Sequence, residues 1–392
     1  MGTIVKLEGE RRAVAPLIAA RDGLKAWLTQ HAYPLWWRMG ADRACGGFHD
    51  ALALNGEPIA GDKRARVQAR QAICYALAPD LGWGGPSAQA TAHGLDFLIR
   101  RHRRADGLYR SRVAADGEAI GDDVDLYDQA FVLFALAAAK RPGDDRPLEA
   151  AEAVLARLVP HPLGGFRDFG GEALRANPNM HLLEAALAWI EAGGGPVWRA
   201  IAGGQARLAM DRLIDVDSGA LSEFFDSDWR APVSAAKRQV EPGHQFEWAW
   251  LLMRWSLIDG DAAALAAALR LIELAQRCGV DPARGVAIDA LDGALAPRQM
   301  GARLWPQTER LKAAVLAGRI TGDAGCWAMA ADSAATLTRY LAVPTPGLWR
   351  DRLKADGAFI EEAAPASSFY HIVMAILELD RHAAFAPEGD ST

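Results

Sequence analysis

The sequence predicts an all-α fold, an (α/α)6 barrel of twelve helices with short β-hairpins at one end. Three observations carry that prediction. A pattern of helix, short hairpin and helix returns six times at a spacing of roughly 60 residues. A glycine-marked turn precedes the second helix of each pair. No linker or shift in composition divides the 392 residues, so one domain spanning 1–392 is expected. A superhelical solenoid is the competing arrangement of the same units.

The repeats follow in order. Apolar periodicity predicts a helix over about Val14 to Gln30, then the strand-like Gly46 to Leu54 with an Asn55-Gly56 turn, then a helix over about Lys63 to Leu77. The second unit runs from Ser87–Arg103 through Gly107-Leu108-Tyr109 to Asp125–Ala139. The third runs from Arg146–Leu158 through Gly165-Phe166 to Asn177–Glu191. In the fourth, Trp198–Leu213 leads through Gly219-Ala220-Leu221 to a helix opened by Pro242, whose fixed φ suits a first position. The fifth runs from Ala262–Arg277 through Gly285-Val286-Ala287 to a helix opening near Pro306, and the sixth from Ala328–Leu341 through Gly347-Leu348-Trp349 to Ser367–Leu379.

Composition narrows the function. Hydrophobic residues make up 51% and charged residues 23%, as in a globular protein with a sizeable core. A net charge of −6 gives no electrostatic footprint for nucleic acid. The one basic cluster, Arg100-Arg101-His102-Arg103-Arg104, suits the negative end of a helix. Cys45, Cys74, Cys278 and Cys326 show neither metal-ligand nor redox spacing. With no apolar signal core and no run of membrane-spanning length, a cytoplasmic protein without membrane contacts is expected. Thirteen tryptophans point to a carbohydrate or apolar ligand surface.

In a barrel the second helices of the pairs run parallel, so their first turns converge at one end. His181, His244 and His371 all fall near such helix starts, joined by Asn177, Glu247, Trp305, Gln307, Glu309, Arg66 and Arg70. The positive end of a helix disfavours imidazolium, so neutral, proton-accepting histidines are expected. A metal site would want closely paired ligands; their spacing shows none, and no metal or other cofactor is expected. Proton abstraction beside a carbonyl fits this set: a base near its operating pKa, with arginine or histidine to steady the developing oxyanion. Inverting glycoside hydrolysis is the rival, with Glu247 and Glu309 as a facing acid pair.

Gln68-Ala69-Arg70, Asn177 to His181 with Glu184, Glu241-Pro242-Gly243-His244 with Glu247, Trp305 to Glu309, and His371 together resemble the N-acylglucosamine 2-epimerase superfamily over nearly the full length. The resemblance implies an (α/α)6 barrel and cofactor-independent sugar isomerisation or epimerisation through a cis-enediolate. It implies His244 and His371 as the acid/base pair and Arg70 as the ligand of the sugar near O1 and O2. His181, Asn177, Glu247, Trp305, Gln307 and Glu309 match pocket positions. Arg66 stands where several members carry an aromatic residue, which permits an anionic sugar. An aldose–ketose isomerase of a mannose-like monosaccharide, monomeric or homodimeric, is therefore expected, with a 2-epimerase as the alternative.

Overall fold

The computed structural model describes residues 16–171 and 173–386; the helix start expected at Val14 lies outside them. Among these residues twelve helices form six pairs. The first pair is α1 (16–40) and α2 (Ala65–Leu77), and the second is α3 (Ser87–Phe97, extended by a π-turn to His102) and α4 (Leu126–Ala139). Then come α5 (Arg146–Leu155) with α6 (Ala176–Glu191), and α7 (Pro196–Leu208) with α8 (Pro242–Asp259). The last pairs are α9 (Ala262–Gly279) with α10 (Leu304–Thr321), and α11 (Ala324–Leu341) with α12 (Ala366–His382).

The even-numbered helices pack side by side in chain order, and α12 packs back onto α2. That contact closes a barrel where a solenoid would leave its ends apart. Burial separates the two rings. Every residue of α8 from Pro242 to Met253 is buried, as an inner helix requires. The outer α9 buries one stripe, with Ala264, Ala267, Ala268, Leu271 and Ala275 at helical spacing. No helix among the described residues is long and apolar enough to cross a membrane.

A collar of two-residue strands ties the mouth together. Lys63–Arg64, expected as helix, is extended and pairs with Arg112–Val113 of the next hairpin. Leu174–Arg175 pairs with Phe224–Phe225, Gln239–Val240 with Ala290–Asp292, and Ala302–Arg303 with Arg352–Leu353. Ala364–Pro365 then pairs with Ala51–Leu52, linking the last repeat to the first.

Each hairpin is also fastened to its own inner helix. The fourth residue of five inner helices is an amide: Gln68, Gln129, Asn179, Gln245 and Gln307. Each accepts from the backbone N–H and donates to the backbone C=O of one hairpin residue, in turn Phe48, Tyr109, Phe166, Leu221 and Ala287. Losing one such amide would orphan two buried backbone groups, at about 1–3 kcal/mol each. The sixth helix has Phe369 there, in a cluster with Trp36 and Trp349, which also stack on each other. Gln307, expected in the pocket, is fully buried and spends both polar ends on Ala287 at 2.8 Å, so it is a fastening and not a sugar ligand.

Candidate active site

Because the inner helices start in register, their side chains fall into layers. The second residues Tyr127, Asn177, Trp305 and Ser367 line the mouth of a cavity of about 280 Å³. The sixth residues Arg70, Phe131, His181, Glu247, Glu309 and His371 form the next ring. His181 and His371 therefore lie a turn deeper than His244, the third residue of α8. The helix caps are Arg175 and Pro365, so Asn177 and Ser367 are already helical. Gly243 completes the mouth: a Cβ there would come within 2.5 Å of Trp305, so its absence lets the indole lie across α8.

All three histidines bond a carboxylate through Nδ1: His181 to Glu184 at 2.9 Å, His244 to Glu223 at 2.8 Å, and His371 to Glu309 at 2.8 Å. Each ring then offers Nε2 to the cavity, with its tautomer set by the partner. Sites for an ion could be drawn from His181, Glu184 and Glu247, from Glu223, Glu241 and His244, or from Glu247, Glu309 and His371. In every set the histidine Nδ1 bonds a carboxylate of that set, which leaves Nε2 as the nitrogen free to face the cavity.

The electrostatics of the rings differ. Burial pushes His181 down to about 4, more than Glu184 restores, so its ring is neutral at pH 7. Burial, with Arg70 and Lys312 adding to it, holds His371 well below the usual histidine range. At His244 burial is outweighed by two carboxylates, Glu223 and Glu241 (3.8 Å away), which raise it to about 9. His244 is thus an imidazolium at neutral pH. This corrects the expectation from its helix-start position, because two full charges close by exceed a half-charge dipole. Trp305 stands between the unlike rings, with centroids 4.8 Å from His244 and 5.8 Å from His371.

Arg70 donates to the Tyr127 hydroxyl at 2.5 Å and to the Ser367 carbonyl at 3.2 Å, and lies over Phe131 at 4.1 Å. Among the described residues it has no carboxylate partner. Four other arginines around the mouth are paired with carboxylates. Arg66 holds Asp128 through two bonds and does not line the cavity, so its expected part in sugar binding is not supported by its position. Arg64 holds Asp50, Arg175 holds Asp168 and Asp125, and Arg303 holds Asp289 and Glu241. Burial, and the nearby Glu309 charge, raise Glu247 well above the carboxylate range, and its Oε1 has no partner among the described residues.

Glu309 sits behind His371 and off the cavity wall, its second oxygen 2.6 Å from Lys312. Glu247 and Glu309 belong to one cluster whose ligand atoms lie within 4.8 Å of one another, closer than the ~6.5–9.5 Å an inverting glycosidase needs for its water. Glu223 and Lys312 are participants the sequence reading missed. Glu223 belongs to a hairpin far from its histidine in sequence, with no spacing signal. Lys312 was findable as a charge one turn beyond Glu309 in an otherwise buried stretch.

The family model of N-acylglucosamine 2-epimerase (GlcNAc 2-epimerase) matches residues 46–375. The chain belongs to the N-acylglucosamine 2-epimerase family. This member is similar to a protein of Rhizobium meliloti (strain 1021) named mannose-6-phosphate isomerase, 44% identical over 91% of this chain and 96% of that one. It is 30% identical to a Thermobifida fusca protein named D-mannose isomerase, over 78% and 81% of the two chains. A crystal structure of D-mannose isomerase superposes with a TM-score of 0.85 at 20% identity, covering 92% and 97%, which supports the barrel of this family member.

Proposed function

We propose that this protein interconverts a mannose-like aldose and its fructose-like ketose through a cis-enediolate, without a metal or other cofactor. The observation that carries the reading is the unlike pair of histidines flanking Trp305: one neutral, one charged, each held at Nδ1. Environments that push two acid/base groups apart assign their roles. His244 donates a proton to the ring oxygen and recovers one from the O1 hydroxyl as the sugar opens. Nε2 of His371 takes the C2 proton and returns it to C1 while the O2 hydroxyl proton passes to O1, and Arg70 steadies the charge on the two oxygens. The names of the two isomerase relatives support this direction. A 2-epimerase is the second reading, favoured by the proton His244 holds on the other side of Trp305.

We further read the substrate as unphosphorylated. Although the 44% identical relative is named mannose-6-phosphate isomerase, a phosphate dianion wants an uncommitted cation besides the Arg70 assigned to O1 and O2, and Arg64, Arg66, Arg175 and Arg303 all hold carboxylates, while Glu241, Glu247 and Asp351 line the cavity. Assayed in chelator with each sugar, the protein should convert mannose to fructose with a kcat/KM at least about tenfold above that for mannose 6-phosphate, a gap of ~1.4 kcal/mol. Preference for the phosphate would overturn the neutral-sugar reading. Glucose as the product from mannose would replace isomerase by epimerase, and activity recovered only on adding a divalent ion would remove metal independence.

A further inference from the structure

The ring below the histidine layer, the ninth residues of the inner helices, is Ile73, Phe134, Glu184, Trp250, Lys312 and Met374. A lysine in that floor needs a reason, since a fully buried ammonium is costly unless paired. Its Nζ lies 2.6 Å from Glu309 Oε2, an ion pair by distance whose alignment is not that of a hydrogen bond, and 3.9 Å from the centre of a Trp250 ring. The other oxygen of the same carboxylate holds His371 Nδ1. Lysine, carboxylate and imidazole thus form one line running from the floor into the cavity. The corresponding line at His244 ends differently: among the described residues Glu223 has no lysine or arginine at ion-pair distance, and a second carboxylate, Glu241, stands beside the ring.

We propose that Lys312 is a positioning residue for His371: by holding the far oxygen of Glu309, it lets that carboxylate orient the ring without drawing a second proton onto it. The inference rests on the isomerase or epimerase reading only for its catalytic consequence. Charged and titratable groups face His371 from every inner helix packed around it: Arg70 on α2, His181 and Glu184 on α6, His244 and Glu247 on α8, and Glu309 and Lys312 on α10. Removing Lys312 leaves Glu309 as a buried carboxylate whose remaining close cation would be imidazolium. With Lys312 gone, a cation that keeps the proton off the ring is lost while the carboxylate bonded to Nδ1 at 2.8 Å still favours imidazolium, so the proton settles on the ring.

The test compares Lys312→Met with Lys312→Met/Glu309→Gln, reading the His371 ring directly by carbon–proton NMR of the imidazole and assigning its signal by loss in His371→Gln. The wild-type ring should stay neutral from pH 6 to 8, a range about the ordinary histidine value. In K312M it should carry a proton at neutral pH, and in the double variant, where the amide oxygen accepts the Nδ1–H without a charge, it should be neutral again. Turnover should follow: K312M should lose about tenfold or more at pH 7 and regain activity as the pH rises, whereas a purely structural lysine would cost activity equally at every pH. An unshifted ring in K312M, or a double variant as shifted as the single, overturns the proposal. If K312M does not fold, the double variant decides: folded with a neutral ring supports the proposal, and unfolded or shifted contradicts it. The ring titration needs no substrate, so failure of the proposed reaction would not be mistaken for failure of this inference.

Discussion

His371→Ala should lower kcat on mannose by about two to four orders of magnitude, the scale for an acid/base group that moves the proton itself. The variant should still fold. His371 is the sixth residue of a long inner helix whose packing comes from apolar neighbours such as Ile372, Val373 and Ile376, and its loss opens the cavity wall. His244→Ala should fall comparably for a different reason, because it removes the proton donor and not the acceptor. The pH profile separates the two. His371 works unprotonated, so activity falls on the acid side as its ring takes up a proton. His244 works protonated, so activity falls on the alkaline side as pH rises through about 9. In His244→Ala the alkaline limb assigned to it should disappear while the acid limb stays. A His371→Ala variant with near wild-type turnover would remove that residue from the reaction.

Arg70→Met should cost about 10²–10³ in kcat, or ~2.7–4 kcal/mol of transition-state stabilisation, with a much smaller change in KM. Its guanidinium is a cavity-lining cation without a carboxylate partner among the described residues, and Tyr127 and Ser367 fix it before substrate arrives. Preorganised charge of this kind matters most when the enediolate forms. Phe131 and Tyr370, with ring centres 4.1 and 5.1 Å from the guanidinium carbon, give methionine apolar company. Arg70→Lys should recover little, since a single ammonium cannot reproduce a planar fork. A loss confined to KM would mean that Arg70 binds the sugar without acting in the transition state.

The six helix pairs were legible because apolar periodicity and glycine turns are local signals, and the barrel followed from counting them. Convergence of Arg70, His181, His244 and His371 was legible for the same reason: parallel helices turn sequence offset into depth. Depth itself was misjudged. Starting the helices at Asn177 and Ser367 places His181 and His371 near the first turn, whereas the helices start one residue earlier, at Ala176 and Ala366, and put both histidines a turn below His244. Gln307 was misassigned because its partner is backbone in a hairpin, and only the fourth-residue register of all inner helices reveals the fastening. The charge of His244 was hidden because Glu223 reaches it from a hairpin, overriding the local helix field.

Proton transfer by His371 is the central claim, and C2-deuterated mannose in ordinary water tests it most directly. One base that takes the C2 proton and gives it to C1 must carry part of the label with it. A cavity this close to the barrel mouth lets the borrowed deuteron exchange with solvent before it returns. The fructose formed should therefore hold deuterium at C1 in a fraction well below complete, with the rest in water, as read by proton NMR. Deuterium retained fully at C1 would contradict this open-mouthed proton transfer and favour a hydride shift at a metal-polarised carbonyl, which transfers hydrogen without exchange.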